Sequence, residues 1–168
     1  MEDDEQLPDE LMDFVEGKIG YFWHMDSDKW RSAGSAIEEP SAGYNGVRDF
    51  TDLRVWRSGI ELAVLIYRMT GHFPNDEIYG LTARLRRAAV SVPSNIAEGN
   101  ARNRTGDYLR FLSIARGSLS EMKTQIIIAE RLEYLDSSST QTVIASITSL
   151  TAQLTALSNA IERSQGSS

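Results

Sequence analysis

Between residues 50 and 161 the apolar side chains recur every three or four positions, the period of an α-helix. No strand-like alternation competes with that pattern. Leu53, Trp56, Ile60, Ala63 and Tyr67 make a first stripe, with Thr51 or Asp52 available as an N-cap and Gly71 as the stop. Ile78, Leu81, Leu85, Ala88, Val92 and Ile96 make a second. Asn75 can cap it, and Asp76 and Glu77 would occupy a first turn where acids suit the helix dipole. Pro93 interrupts the stripe, which predicts a kink or a restart with Ser91 as a new cap, and Gly99 ends it. The third helix starts near Thr105 and carries Leu112, Ala115, Leu119, Met122, Ile126 and Ala129. The fourth follows the serine-rich stretch 137–140, where Ser138 and Gln141 fit a capping box. Its stripe is Val143, Ile147, Leu150, Leu154, Leu157 and Ile161.

Four such helices with short connections predict an all-α fold, an antiparallel up-down four-helix bundle. The bundle is expected over residues 47–164, with 165–168 a tail and 1–46 an acidic N-terminal extension. Within the extension, Leu7, Leu11, Phe14, Val15 and Ile19 suit one short amphipathic helix, followed by a linker with Pro40 and Gly43. A solubilising tail is one reading of it. Docking through Tyr21, Phe22, Trp23 and Trp30, on the bundle or on a partner, is the other.

Composition narrows the chemistry. The chain has 168 residues, enough for one domain with a real core. It has no cysteine, which excludes disulfides, thiolate zinc sites and a cysteine nucleophile. Two histidines, His24 and His72, leave little for a metal centre or a Ser-His-Asp triad. Glu-x-x-His, the signature of di-metal bundles, does not occur. Neither do the glycine-rich loops that cradle nucleotide phosphates. Arg68 and His72 lie too close together to match the Arg-His pairing of helical-bundle ribonucleases. No enzyme activity, cofactor or metal is expected.

Charge changes the picture further. The net value is −7, but residues 1–46 hold twelve acids against three bases, a net −9. Residues 47–168 hold 14 bases against 12 acids, a net +2. Within 81–116, seven arginines face only Glu98 and Asp107, a local +5. The acidic start lacks a secretory apolar region and no apolar run could span a membrane, so a cytoplasmic location is expected.

Two sets of candidate residues follow. Arg84, Arg87, Ser91, Asn95 and Glu98 share one helical face. On the third helix Arg110, Ser113, Gly117 and Glu121 form one polar stripe, and Arg116, Ser120 and Lys123 another. Ser91, Asn95, Glu98, Ser118, Glu121 and Gln125 read as a structural polar network between helices. Arg84, Arg86, Arg87, Arg102, Arg104, Arg110, Arg116 and Lys123 read as a phosphate-contacting set for RNA or DNA. The acidic extension is the competing partner for those cations.

Five blocks in order carry a resemblance. They are 50–56 (FTDLRVW), 73–82 (FPNDEIYGLT), 86–99 (RRAAVSVPSNIAEG), 111–121 (FLSIARGSLSE) and Thr124-Gln125. In these the chain resembles the bacterial 23S rRNA intervening-sequence protein family over roughly residues 48–160. It is also similar to the accessory variability proteins of diversity-generating retroelements. The resemblance implies a non-enzymatic bundle that assembles as a homopentameric ring and, in the retroelement branch, binds nucleic acid and a reverse transcriptase. Arg86 and Arg87 match the family's paired arginines, and Asn95, Glu98, Ser118 and Glu121 its polar block. Arg84 and Lys123 stand where the family commonly has Gln and Glu, two departures that add positive charge. A nucleic-acid-associated accessory factor is therefore the expectation, and a protein-binding scaffold without nucleic acid is the alternative.

Overall fold

The computed structural model describes residues 49–165; the expectations for the acidic extension and for residues 166–168 lie outside them. The described chain is an all-α bundle of four helices: α1 (Arg54–Met69), α2 (Leu81–Asn100), α3 (Thr105–Arg131) and α4 (Ser137–Gln165). Short 3-10 turns lie at Phe50–Asp52, Thr70–His72 and Asn75–Glu77. No strand occurs among the described residues. Packing is most extensive between α2 and α3, while α1 lies against α2 and α4, and α4 against α3. Gly59 of α1 meets Pro93 of α2, and Thr70 just beyond α1 meets Arg86, so contacts ascend α1 as they descend α2. Gly99 against Tyr108, and Ser91 against Ser118, do the same for α2 and α3.

All four helices contribute to the core, and the α3 and α4 stripes supply much of it. Leu112, Ala115, Leu119, Met122, Ile126 and Ala129 are fully buried, as are Val143, Leu150 and Leu154. Removing each large side chain of this kind from water contributes roughly 1.5–3 kcal/mol, so these helices are held by tertiary burial. In α2 the buried line includes Leu85, Ala88, Val92 and Ile96 of the expected stripe, whereas Ile78 precedes the helix and is 51% exposed.

The α1 stripe is different from the expected one. Val55, Gly59, Leu62, Ala63 and Ile66 are buried, whereas Ile60 and Tyr67 are 38% and 46% exposed. This helix carries apolar residues on two faces, and spacing alone does not say which one meets the core. Neither Thr51 nor Asp52 caps it. Leu53 occupies the cap position, with no side-chain bond, while Asp49 accepts from the Thr51 N–H at 3.0 Å and Asp52 pairs with Arg57 at 3.2 Å. Its C-terminal end is closed by Thr70, whose hydroxyl donates to the Ile66 carbonyl at 2.8 Å, and not by a glycine stop.

α2 starts later than expected. Asn75–Glu77 form a 3-10 turn, and the Glu77 carboxylate accepts from the Leu81 N–H at 2.7 Å, capping the helix from four residues upstream. The helix then runs unbroken through Pro93 to Asn100. Proline removes one backbone N–H and normally costs about 3 kcal/mol in a helix interior. Here its buried ring packs on Gly59, where a Cβ would stand 3.4 Å from Pro93 Cβ. Nearby, the Ser94 hydroxyl and Asn95 amide donate to the Val90 and Ser91 carbonyls at 2.8 and 2.7 Å. Ser91 is thus an interior residue and not a cap. Gly99 likewise lies within the helix.

α3 ends in a reciprocal hydrogen-bonded turn. The Tyr134 N–H reaches the Ala129 carbonyl at 2.9 Å and the Glu133 N–H the Glu130 carbonyl at 2.9 Å, with Glu133 in the left-handed region at φ 60°. Asp136 caps α4 in place of the expected Ser138–Gln141 box. Its carboxylate accepts from the Ser139 N–H at 2.7 Å and from the Ser138 and Ser139 hydroxyls at 2.6 and 2.8 Å. Partial burial raises the Asp136 pKa, but those hydrogen bonds outweigh it and hold the carboxyl at about 2. Among the described residues no helix is long and apolar enough to cross a membrane.

Candidate nucleic-acid interface

The eight cations of the phosphate-contacting set do not form one patch. Successive residues turn 100° about a helix, so Arg86 points about 160° from Arg84 and faces α1. Its guanidinium is half-buried there. Nε donates to Thr70 Oγ1 at 2.8 Å and a terminal nitrogen to the Tyr67 carbonyl at 3.4 Å, with the group 4.9 Å from the Tyr67 ring centroid. Arg86 therefore ties α2 to the carbonyl end of α1, where a cation also suits the helix dipole.

Arg102 is engaged as well. It pairs with Glu98 and lies 4.9 Å from the centroid of the Phe111 ring. Its partner Glu98 is accordingly drawn out of the expected network and onto the surface.

The other six, Arg84, Arg87, Arg104, Arg110, Arg116 and Lys123, are exposed and make no ion pair with described residues. Arg84 and Arg87 stand early in α2. Arg104 precedes α3, and Arg110 is in its second turn. At 1.5 Å per residue the two groups are separated by roughly 20 Å along the bundle. Arg104, Arg110 and Arg116, each six residues apart, point about 120° from one another around α3, whereas Arg116 and Lys123 point within about 20° of each other. The exposed cations are therefore dispersed: Arg84 and Arg87 near the start of α2, Arg104 and Arg110 near the start of α3, and Arg116 with Lys123 along one line of α3.

The polar residues divide into two clusters. Ser91 Oγ and Ser118 Oγ lie 2.8 Å apart across α2 and α3, and the Asn95 amide donates to Ser91 Oγ at 3.0 Å. Further along α3 the Gln125 amide donates to Glu121 at 2.9 Å, leaving the buried Gln125 Oε1 without a partner among the described residues. Ser118 and Gln125 are the buried members of the two clusters, and Glu121 is exposed. Among the described residues no group of His, Asp and Glu is placed to hold a metal ion.

Periodicity missed one feature. A depression of about 680 Å³ opens where α2 begins, beside the chain leaving α1, and is lined by Tyr67, Asn75, Ile78, Thr82, Arg86 and Arg87 among others. Tyr67 had the spacing of a core residue. Its unexpected exposure is the signal, and only packing reveals it. A shallower apolar groove adjoins it, lined by Ile60, Val64 and Val90, which are 38%, 45% and 44% exposed.

The sequence model of the family described as "23S rRNA-intervening sequence protein" matches residues 51–156, nearly all of the described bundle. Among solved structures, the chain is similar to a protein with unknown function from the S23 ribosomal protein family of Bacteroides thetaiotaomicron. That similarity has a TM-score of 0.57 and 20% identity, and covers 62% of this chain and 97% of that one. At such identity the likeness speaks for the fold alone. No curated protein matches the chain.

Proposed function

The chain belongs to the 23S rRNA-intervening sequence protein family, and on that premise we propose that it is a non-enzymatic, oligomeric accessory protein that associates with RNA or DNA. The observation that carries this reading is the set of exposed arginines without ion-pair partners among the described residues, Arg84, Arg87, Arg104 and Arg110. Unpaired surface guanidinium groups favour phosphate because each contact releases condensed counterions. Arg116 and Lys123 add two exposed cations along one line of α3. Assembly into a ring would multiply a modest charge per protomer, and a pentamer is the form this reading carries. A reverse transcriptase is the protein partner it carries, in the cytoplasm of a bacterium.

The uncovered apolar strip of Ile60, Val64 and Val90 favours a second role, protein contact. Fluorescence anisotropy of the full-length chain with single-stranded and duplex RNA and DNA, at about 50 mM salt where phosphate contacts are strong, tests the main reading. Binding to one of them is expected. No binding to any leaves the scaffold reading in its place.

A further inference from the structure

We propose that the depression beside Arg86 and Arg87 receives one nucleotide of a single strand, its base against Tyr67 and its phosphate on Arg87. The inference rests on the nucleic-acid reading and deepens it by naming where a base is held. The volume, about 680 Å³, falls within the range of small-ligand pockets. Its lining combines what a nucleotide offers partners for. Tyr67 supplies an aromatic ring that is 46% exposed, and Ile78 an apolar flank. Arg86 lies over the Tyr67 ring and is itself fixed by Thr70 Oγ1, so ring and guanidinium are oriented before anything binds.

Arg87 is exposed and makes no described ion pair, which leaves its guanidinium for a phosphate. Asn75 contributes an amide able both to donate and to accept. Thr82, also in the lining, keeps a buried hydroxyl with no hydrogen-bond partner among the described residues. No acidic residue is among those lining the depression, and the nearest in sequence, Asp76 and Glu77, follow Asn75 in the turn at its edge. Stacking on aromatic rings accepts any base, so the site is expected to prefer single strands without strong sequence preference.

The test compares the full-length protein on two single-stranded oligonucleotides of equal length, one natural and one in which every base is removed while the phosphates remain. The natural strand is expected to bind about tenfold more tightly, the order of magnitude of one stacked base. Tyr67→Ala should abolish that difference and Tyr67→Phe should keep it. Arg87→Gln should weaken both strands. Equal binding of the two strands by the unaltered protein would overturn the inference while leaving phosphate association intact. So would a Tyr67→Ala variant that retains the preference. Failure of both strands to bind would instead defeat the nucleic-acid reading on which the inference rests. Because Tyr67 is half exposed, the Ala variant is expected to stay folded, and its helical circular dichroism checks this.

Discussion

Gly99 of α2 lies so close to Tyr108 of α3 that a Cβ at Gly99 would stand 2.7 Å from Tyr108 Cδ2 and 2.8 Å from Phe111 Cβ. Alanine is a better helix former than glycine by about 1 kcal/mol, but overpacking a buried contact costs about 1–3 kcal/mol. Gly99→Ala should therefore lower the unfolding midpoint. At Gly59 a Cβ finds ordinary contacts of 3.4 Å and longer with Pro93. Gly59→Ala should accordingly raise stability, by up to about 1 kcal/mol. Urea unfolding of the two variants checks the opposite signs.

That pair also shows what the sequence conceals. The spacing of residues around Gly99 suggested a helix stop, because glycine commonly follows a helix. The close approach of α3 that actually requires it involves Tyr108 and Phe111, which no local pattern couples to Gly99. The helical period and the core lines of α3 and α4 were legible because those helices have a single apolar face. α1 has two, and choosing between Ile66 and Tyr67 needed the neighbouring helices. The cationic stretch was legible as composition. Its division was not, since Arg86 turns inward to Thr70 and Arg102 to Glu98 through contacts that charge counting does not see.

Glu133 holds a left-handed backbone conformation at the end of α3. A residue with a Cβ pays about 1–2 kcal/mol there, and glycine does not. Glu133→Gly is expected to stabilise the bundle by about 1 kcal/mol, part of the relief being offset by the freer unfolded chain. Thermal unfolding should show a rise of a few degrees; a fall would mean that the Glu133 side chain contributes more than the strain it carries.

Asp136 links α4 to pH. Its folded pKa of about 2 lies below the ordinary 3.8, so the ionised carboxylate favours the folded state. That contribution is complete above about pH 4 and is lost as pH falls toward 2. Asp136→Ala should cost about 1 kcal/mol at neutral pH, the usual worth of a helix cap. Asp136→Asn should retain most of the cap while removing this part of the acid sensitivity. Unfolding at neutral pH separates the two variants, and a series from pH 6 to pH 2 should show this acid sensitivity in the unaltered protein and in neither of them.

Arg86 and the exposed arginines should separate in their effects. Arg86→Gln removes the link to Thr70 and the stacking on Tyr67, and is expected to destabilise the protein by about 1 kcal/mol. Arg104→Gln and Arg110→Gln remove no described protein contact and should leave the unfolding midpoint unchanged. Circular dichroism melts provide the comparison.

Arg104 and Arg110 are the arginines proposed to hold phosphate near the start of α3, and the salt dependence of binding tests that role most directly. The logarithm of the affinity of the full-length chain for a single strand should fall linearly with the logarithm of salt concentration. In the Arg104→Gln, Arg110→Gln double variant the slope should be shallower by about 1.4, or about 0.7 for each phosphate that no longer meets an arginine. An unchanged slope in the folded double variant would contradict that role, as would an affinity of the unaltered protein that does not respond to salt.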